Sequence, residues 1–179
     1  MGKRKFGISK INFEENRDAQ EKVFLGILGA FLFGLAGGVL WVILWRIGFI
    51  APIAGLITAI LAVNGYVFFG RKFSKRGVVL ALIAAVIVLI IATLVSMTFD
   101  VLLAFREGYK AGTYDRMPTF VQAFAFGMLT MFGTPSILLE YLMYLVFGLV
   151  IGGFGTFMYL RPFFAKMKEI EAQGGESDA

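Results

Sequence analysis

The stretch that decides the fold is residues 23–76: VFLGILGAFLFGLAGGVLWVILW (23–45), Arg46, IGFIAPIAGLITAILAVNGYVFF (47–69), Gly70 and RKFSKR (71–76). Each apolar run has 23 residues. As a helix, such a run is about 34 Å long, enough to cross a hydrocarbon core of ~30 Å. The stretch therefore reads as a transmembrane hairpin whose return end carries a basic connector.

The remainder of the chain adds a second pair of spans. Gly77–Phe105 is a long apolar run, and Ser136–Leu160 is the last. Between them lie a polar loop, 106–118, and a 14-residue apolar segment, 119–132, too short to span. Such a length reads as an interfacial or a re-entrant helix, and the recurrence of Phe120, Phe124 and Met128 every fourth residue favours an interfacial one. The expected fold is all-α: four transmembrane helices over about 23–45, 47–69, 77–105 and 136–160, plus the interfacial helix. Pro52 suits the first turn of a helix, so the second span has an alternative start at Ala51–Pro52 with Gly48–Ala51 as the turn. Gly108, Gly112 and Pro118 are expected to break helix between the third span and the short one.

Composition agrees. Of 179 residues, 59% are hydrophobic and 16% charged, against ~25% charged in ordinary soluble domains. The organisation is a basic N-terminal segment (1–22), a membrane domain (23–160) and a polar tail (161–179), the tail read as disordered from Glu169. Asn12 and Glu15 have capping-box spacing and predict a short helix ahead of the first span. That span reads as uncleaved, because no small-residue cleavage site follows it.

Lysine and arginine are unevenly shared. Six lie in 1–22, four in 71–76 and three after Leu160; only Arg46, Arg106, Lys110 and Arg116 lie on the other side. With four spans, all three rich segments share one face, and the positive-inside rule places both termini in the cytoplasm of a plasma or inner membrane. The net charge of +5 sits at helix ends, where it serves topology and lipid headgroups; no nucleic-acid partner is expected.

There is no cysteine and no histidine. Thiolate chemistry, Cys/His metal sites and histidine acid–base catalysis are excluded. No P-loop, GxGxxG or HExxH pattern occurs. The chain is not expected to be an enzyme, nor to hold a cofactor or metal. The glycines lie inside spans at packing distances: Gly34 and Gly38 form one GxxxG pair with Gly37 beside them, and Gly148 and Gly152 form another. Small residues let helix backbones approach closely in lipid, so these faces are expected to serve helix packing and association with a second copy or another membrane protein.

The polar candidates are few. Asn64 lies near the end of the second span and reads as a helix–helix hydrogen-bonding group. Arg46, Asp100, Arg106, Glu107 and Glu140 fall near one membrane boundary. They read as interfacial charges or structural pairs, Asp100 with Arg46 or Glu140 with Arg106. A transporter would instead need Asn64, Asp100 and Glu140 on one water-accessible wall.

The segment Gly65-Tyr66-x-x-Phe69-Gly70-x-Lys72-x-Ser74-Lys75-x-Gly77, preceded by Gly37-Gly38-x-Leu40-Trp41, resembles a group of small bacterial four-span membrane proteins to which no activity is attached. The resemblance covers roughly Gly34–Gly77. It implies a bacterial inner membrane and carries no site residues. The leading functional expectation is a non-enzymatic, membrane-embedded interaction or structural subunit; the alternative is a small-solute or ion transporter or channel component.

Overall fold

A computed structural model describes Asn16, residues 19–47 and residues 52–177, with side chains from Ile53 to Glu169 in the latter range. The Asn12–Glu15 box and the Gly48–Ala51 turn lie outside the described residues. Every regular element among those described is an α-helix: α1 (Val23–Ile47), α2 (Pro52–Gly70), α3 (Lys75–Lys110), α4 (Phe120–Gly133) and α5 (Pro135–Ser177). Four of them, all but α4, are long and apolar enough to cross a membrane.

The boundaries follow local chemistry. The second span starts at Pro52, the alternative the proline itself suggested, and not at Ile47. α3 begins at Lys75 because Ser74 caps it: its Oγ accepts from the Gly77 N–H at 2.9 Å. At the other end Gly108 does not break the helix; the Tyr114 ring lies directly against it. The break comes at Gly112, whose φ of +73° puts it in the left-handed region that glycine adopts without penalty. α4 opens on a reciprocal capping box. Thr119 N–H donates to Gln122 Oε1 at 2.9 Å, and Gln122 N–H donates to Thr119 Oγ1 at 3.4 Å.

α5 departs most from expectation. Its helix passes Leu160 and Pro162 and continues to Ser177, so the tail expected to be disordered from Glu169 is helical. Proline removes one backbone donor, but Phe163 and Phe164 on the next turn pack on Phe73, with ring centroids 6.4 and 5.1 Å away. That contact anchors the continuing helix.

Two ends of the bundle can now be distinguished. At the connector end, residues 71–74 join α2 to α3 beside the start of α1 and the 160–167 stretch of α5. At the far end lie the last turn of α1, Asp100 of α3 and the first turns of α5. α1 and α2 are antiparallel neighbours in very close contact: a Cβ on Gly29 would strike the Gly65 carbonyl, and one on Gly65 would strike that of Gly29. A Cβ on Gly37 would come 2.5 Å from Thr58 Cα. α1 and α3 run parallel. Gly34 faces Val88, Gly38 faces Ala92, and Arg46 meets Asp100, each pair 54 residues apart. α5 crosses α2 where Gly148 and Gly152 meet the Gly55 backbone, and Trp41 of α1 fills the space over Gly148.

The predicted packing glycines are thus engaged by the chain's own helices. α5 remains peripheral, and Val146, Phe147, Val150, Phe154 and Phe157 on its outer side are exposed. α4 lies against the far-end turns of α3, with Phe120 on Phe99, Phe126 on Phe105, and Gly127 over Met97 and Val101.

Candidate functional site

Polar groups inside the spans are mostly satisfied along their own helices. The hydroxyls of Thr58, Thr93, Ser96 and Thr98 donate to the carbonyls four residues earlier, at 2.7–2.9 Å. Asn64 does the same through Nδ2 to the Ile60 carbonyl at 2.8 Å. Such back-bonding removes the cost of an unpaired donor in hydrocarbon without needing a neighbour.

Asp100 is different: three donors on two other helices converge on its carboxylate. Arg46 Nη1 donates to Oδ1 at 2.6 Å. Trp45 Nε1 and the Tyr141 hydroxyl both donate to Oδ2 at 2.9 Å. The Trp45 ring stacks on Tyr141 (centroids 5.3 Å, planes 13° apart) and meets the edge of Tyr144 at 4.8 Å. The sequence produces this by register. Arg46 follows Val23 by 23 residues, and Asp100 follows Gly77 by the same number, so two parallel helices lift both groups about 34 Å above the connector end. Tyr141 enters from α5, which descends from Pro135 at the same level. Charge-assisted hydrogen bonds are stronger than neutral ones, and here they tie α1, α3 and α5 together at one atom group.

The ion pair is partly open, with Arg46 and Asp100 side chains 32% and 33% exposed. Chemically, Asp100 is an acceptor hub whose Oδ2 is doubly engaged. The expected Asp100–Arg46 pair is formed. The expected Glu140–Arg106 pair is not: Glu140 and Arg106 are both exposed, and no ion pair joins them. It is Tyr141, one residue on, that turns inward. Asn64 stands six residues before the connector end of α2 and Asp100 twenty-five residues beyond Lys75, so they lie near opposite ends and form no common wall.

A second constellation at the connector end has no counterpart in the sequence reading. Glu21 Oε1 accepts from Tyr66 Oη and Ser74 Oγ, both at 2.8 Å. Asn16 holds the Phe73 backbone at both groups, Nδ2 to the carbonyl at 3.1 Å and Oδ1 from the N–H at 2.6 Å. Lys22 N–H donates to the Gly70 carbonyl at 2.9 Å. The segment before α1 therefore straps the α2–α3 connector. Gly70 and Gly77 leave room for the Tyr66 ring, so Tyr66, Gly70, Ser74 and Gly77 are parts of one joint. Among the described residues, no group of three or more acidic side chains gathers as a metal site would require.

No family profile, characterised protein or solved structure matches the chain.

Proposed function

We propose that this chain is a non-enzymatic subunit embedded in a bacterial inner membrane, with both termini in the cytoplasm, acting through association with other membrane components. The observation that carries this reading is the state of Asp100. Asp100 is the centre of a clasp joining three helices, and a carboxylate committed to three structural donors is a poor proton relay. The placement of Asn64 and Asp100 near opposite ends of the bundle weakens the transporter alternative. The skewed lysine and arginine distribution supports the orientation, and the resemblance of Gly34–Gly77 to small bacterial four-span proteins supports the membrane.

Because Gly34, Gly37, Gly38, Gly148 and Gly152 are engaged internally, association with a second copy or another membrane protein would use other surfaces, the outer side of α5 first among them. The test is purification of the full chain in mild detergent with native mass readout. The reading expects a defined assembly heavier than one 19.7 kDa chain. A lone monomer, together with solute flux into vesicles that is lost in Asp100→Asn or Glu140→Gln, would replace it with transport.

A further inference from the structure

The Arg46–Asp100 pair has a feature its structural role does not use. Among the described residues, Arg46 meets Asp100 through Nη1 alone. A guanidinium carries five N–H donors in a planar fork, so its other tine is unspent. On the carboxylate, Oδ2 accepts two bonds from the described residues but Oδ1 only the one from Arg46. Each side chain is about one-third exposed. The clasp therefore presents, side by side on its open edge, a cation with free donors and an anion with a free acceptor position.

Depth and surroundings define what would meet that edge. Arg46 and Asp100 stand about 34 Å of helix above Val23 and Gly77, at the boundary of a ~30 Å core. Trp45, Tyr141 and Tyr144 frame the pair, and indole and phenol rings are characteristic of the headgroup layer. Below Arg46 on α1, Ile43 and Val39 lie three and seven residues back on the same side and are 48% and 59% exposed. They make an apolar track leading from the pair into the membrane.

We infer that the open edge of the Arg46–Asp100 pair is a binding site for a zwitterionic phospholipid headgroup, a phosphodiester followed by a primary ammonium. The phosphate takes the free tine of Arg46, the arrangement guanidinium favours with phosphate oxygens. The ammonium donates to Asp100 Oδ1, and an acyl chain follows Ile43 and Val39. A pair with no net charge selects a headgroup with no net charge; an anionic lipid would set its surplus charge beside Asp100. This inference needs only a membrane around the helices. It does not rest on the interaction-subunit reading, nor on which side of the membrane the far end faces.

The test is native mass spectrometry of the full chain in detergent micelles containing equimolar dioleoyl phosphatidylethanolamine and dioleoyl phosphatidylglycerol. The expected result is preferential retention of the ethanolamine lipid, by about tenfold if the ammonium contact to Asp100 is worth one charge-assisted hydrogen bond. Asp100→Asn, which keeps the acceptor oxygen and removes the charge, should abolish that preference, and Arg46→Gln should lower retention of both lipids. Arg46→Lys keeps a cation on Asp100 and the helical circular dichroism but loses the fork, and should lower retention of both lipids. Arg161→Gln, which removes an exposed arginine at the connector end, should leave it unchanged. Excess soluble glycerophosphoethanolamine should not displace the lipid, because it lacks the chain that follows α1. Equal retention in the wild type, preference for the glycerol lipid, a preference that survives Asp100→Asn, retention unchanged in Arg46→Gln, or an equal fall in Arg161→Gln would each overturn the site. Displacement by the soluble headgroup would overturn the lipid assignment.

Discussion

Replacing Asp100 by alanine should loosen three helices at once, and its cost can be built from the donors it strands. Trp45 Nε1 and Tyr141 Oη each lose a part-buried bond to a charged acceptor, about 1–1.5 kcal/mol apiece. Arg46 loses an exposed contact, about 0.5–1 kcal/mol. The sum is roughly 2.5–4 kcal/mol, and part of it returns if headgroup water reaches the stranded donors. Tyr141→Phe keeps the ring on Trp45 and removes one donor, so it should cost about 1 kcal/mol. With Asp100 already alanine, Tyr141→Phe should cost almost nothing, a coupling of about 1 kcal/mol in a double-mutant cycle. Unfolding by sodium dodecyl sulfate in mixed micelles, followed by tryptophan fluorescence, measures all four corners, because Trp45 is a member of the clasp. An Asp100→Ala cost below about 0.5 kcal/mol, or additive single changes, would refute the claim that this carboxylate ties α1 and α3 to α5.

Other expectations are simpler. Gly55→Val should abolish or severely weaken folding, since a Cβ there would strike the Gly148 backbone, whereas Gly153→Ala meets nothing within 4 Å and should be neutral or stabilising by up to about 1 kcal/mol; expression yield and the same detergent titration compare them. Asn16→Ala strands the buried Phe73 N–H and carbonyl and should cost about 2–3 kcal/mol, seen as faster hydrogen exchange over 71–77 and trypsin cleavage after Arg71 or Lys72. Because the chain has no cysteine, single cysteines placed at Thr113 and Glu169 report topology without background: impermeant maleimide should label the first in intact cells and the second only after lysis, and the reverse would overturn the orientation.

Span number and level were legible because they depend on length and on where charges stop. The meeting of Arg46 and Asp100 follows from two equal counts of 23 residues, so that pair could be found without coordinates. Facing direction was harder to read. In a soluble helix the polar side announces the buried one, but in lipid both sides are apolar, and amphipathicity loses its sign. The choice between Glu140 and Tyr141 as the residue that turns inward depends on that missing sign, and the charged residue was the wrong guide. Only small residues mark the buried face. They identified Gly34, Gly37, Gly38, Gly148 and Gly152 as packing positions, yet could not say whether the neighbour belonged to the same chain. The caps at Ser74 and Thr119 are local patterns: Thr119-x-x-Gln122 has capping-box spacing. The strap was beyond reach, because Glu21 meets Tyr66 and Ser74 across 45 and 53 residues with no local pattern to signal it.

The parallel pairing of α1 with α3 fixes an order of assembly. Two parallel helices cannot be joined by a tight turn, so the glycine groove of α1 is filled by a helix made 54 residues later. At ribosomal speeds of ~5–20 residues per second, that delay is roughly 3–11 seconds. During it the first hairpin sits in the bilayer with Gly34 and Gly38 facing lipid and Arg46 lacking its counter-ion. The nascent hairpin is thus an incomplete receptor, and α3 arrives as the wedge that locks it. A chain stalled before Val88 would leave the groove open to the α3 of a neighbouring molecule, making exchange of that helix between copies the characteristic error of its biogenesis.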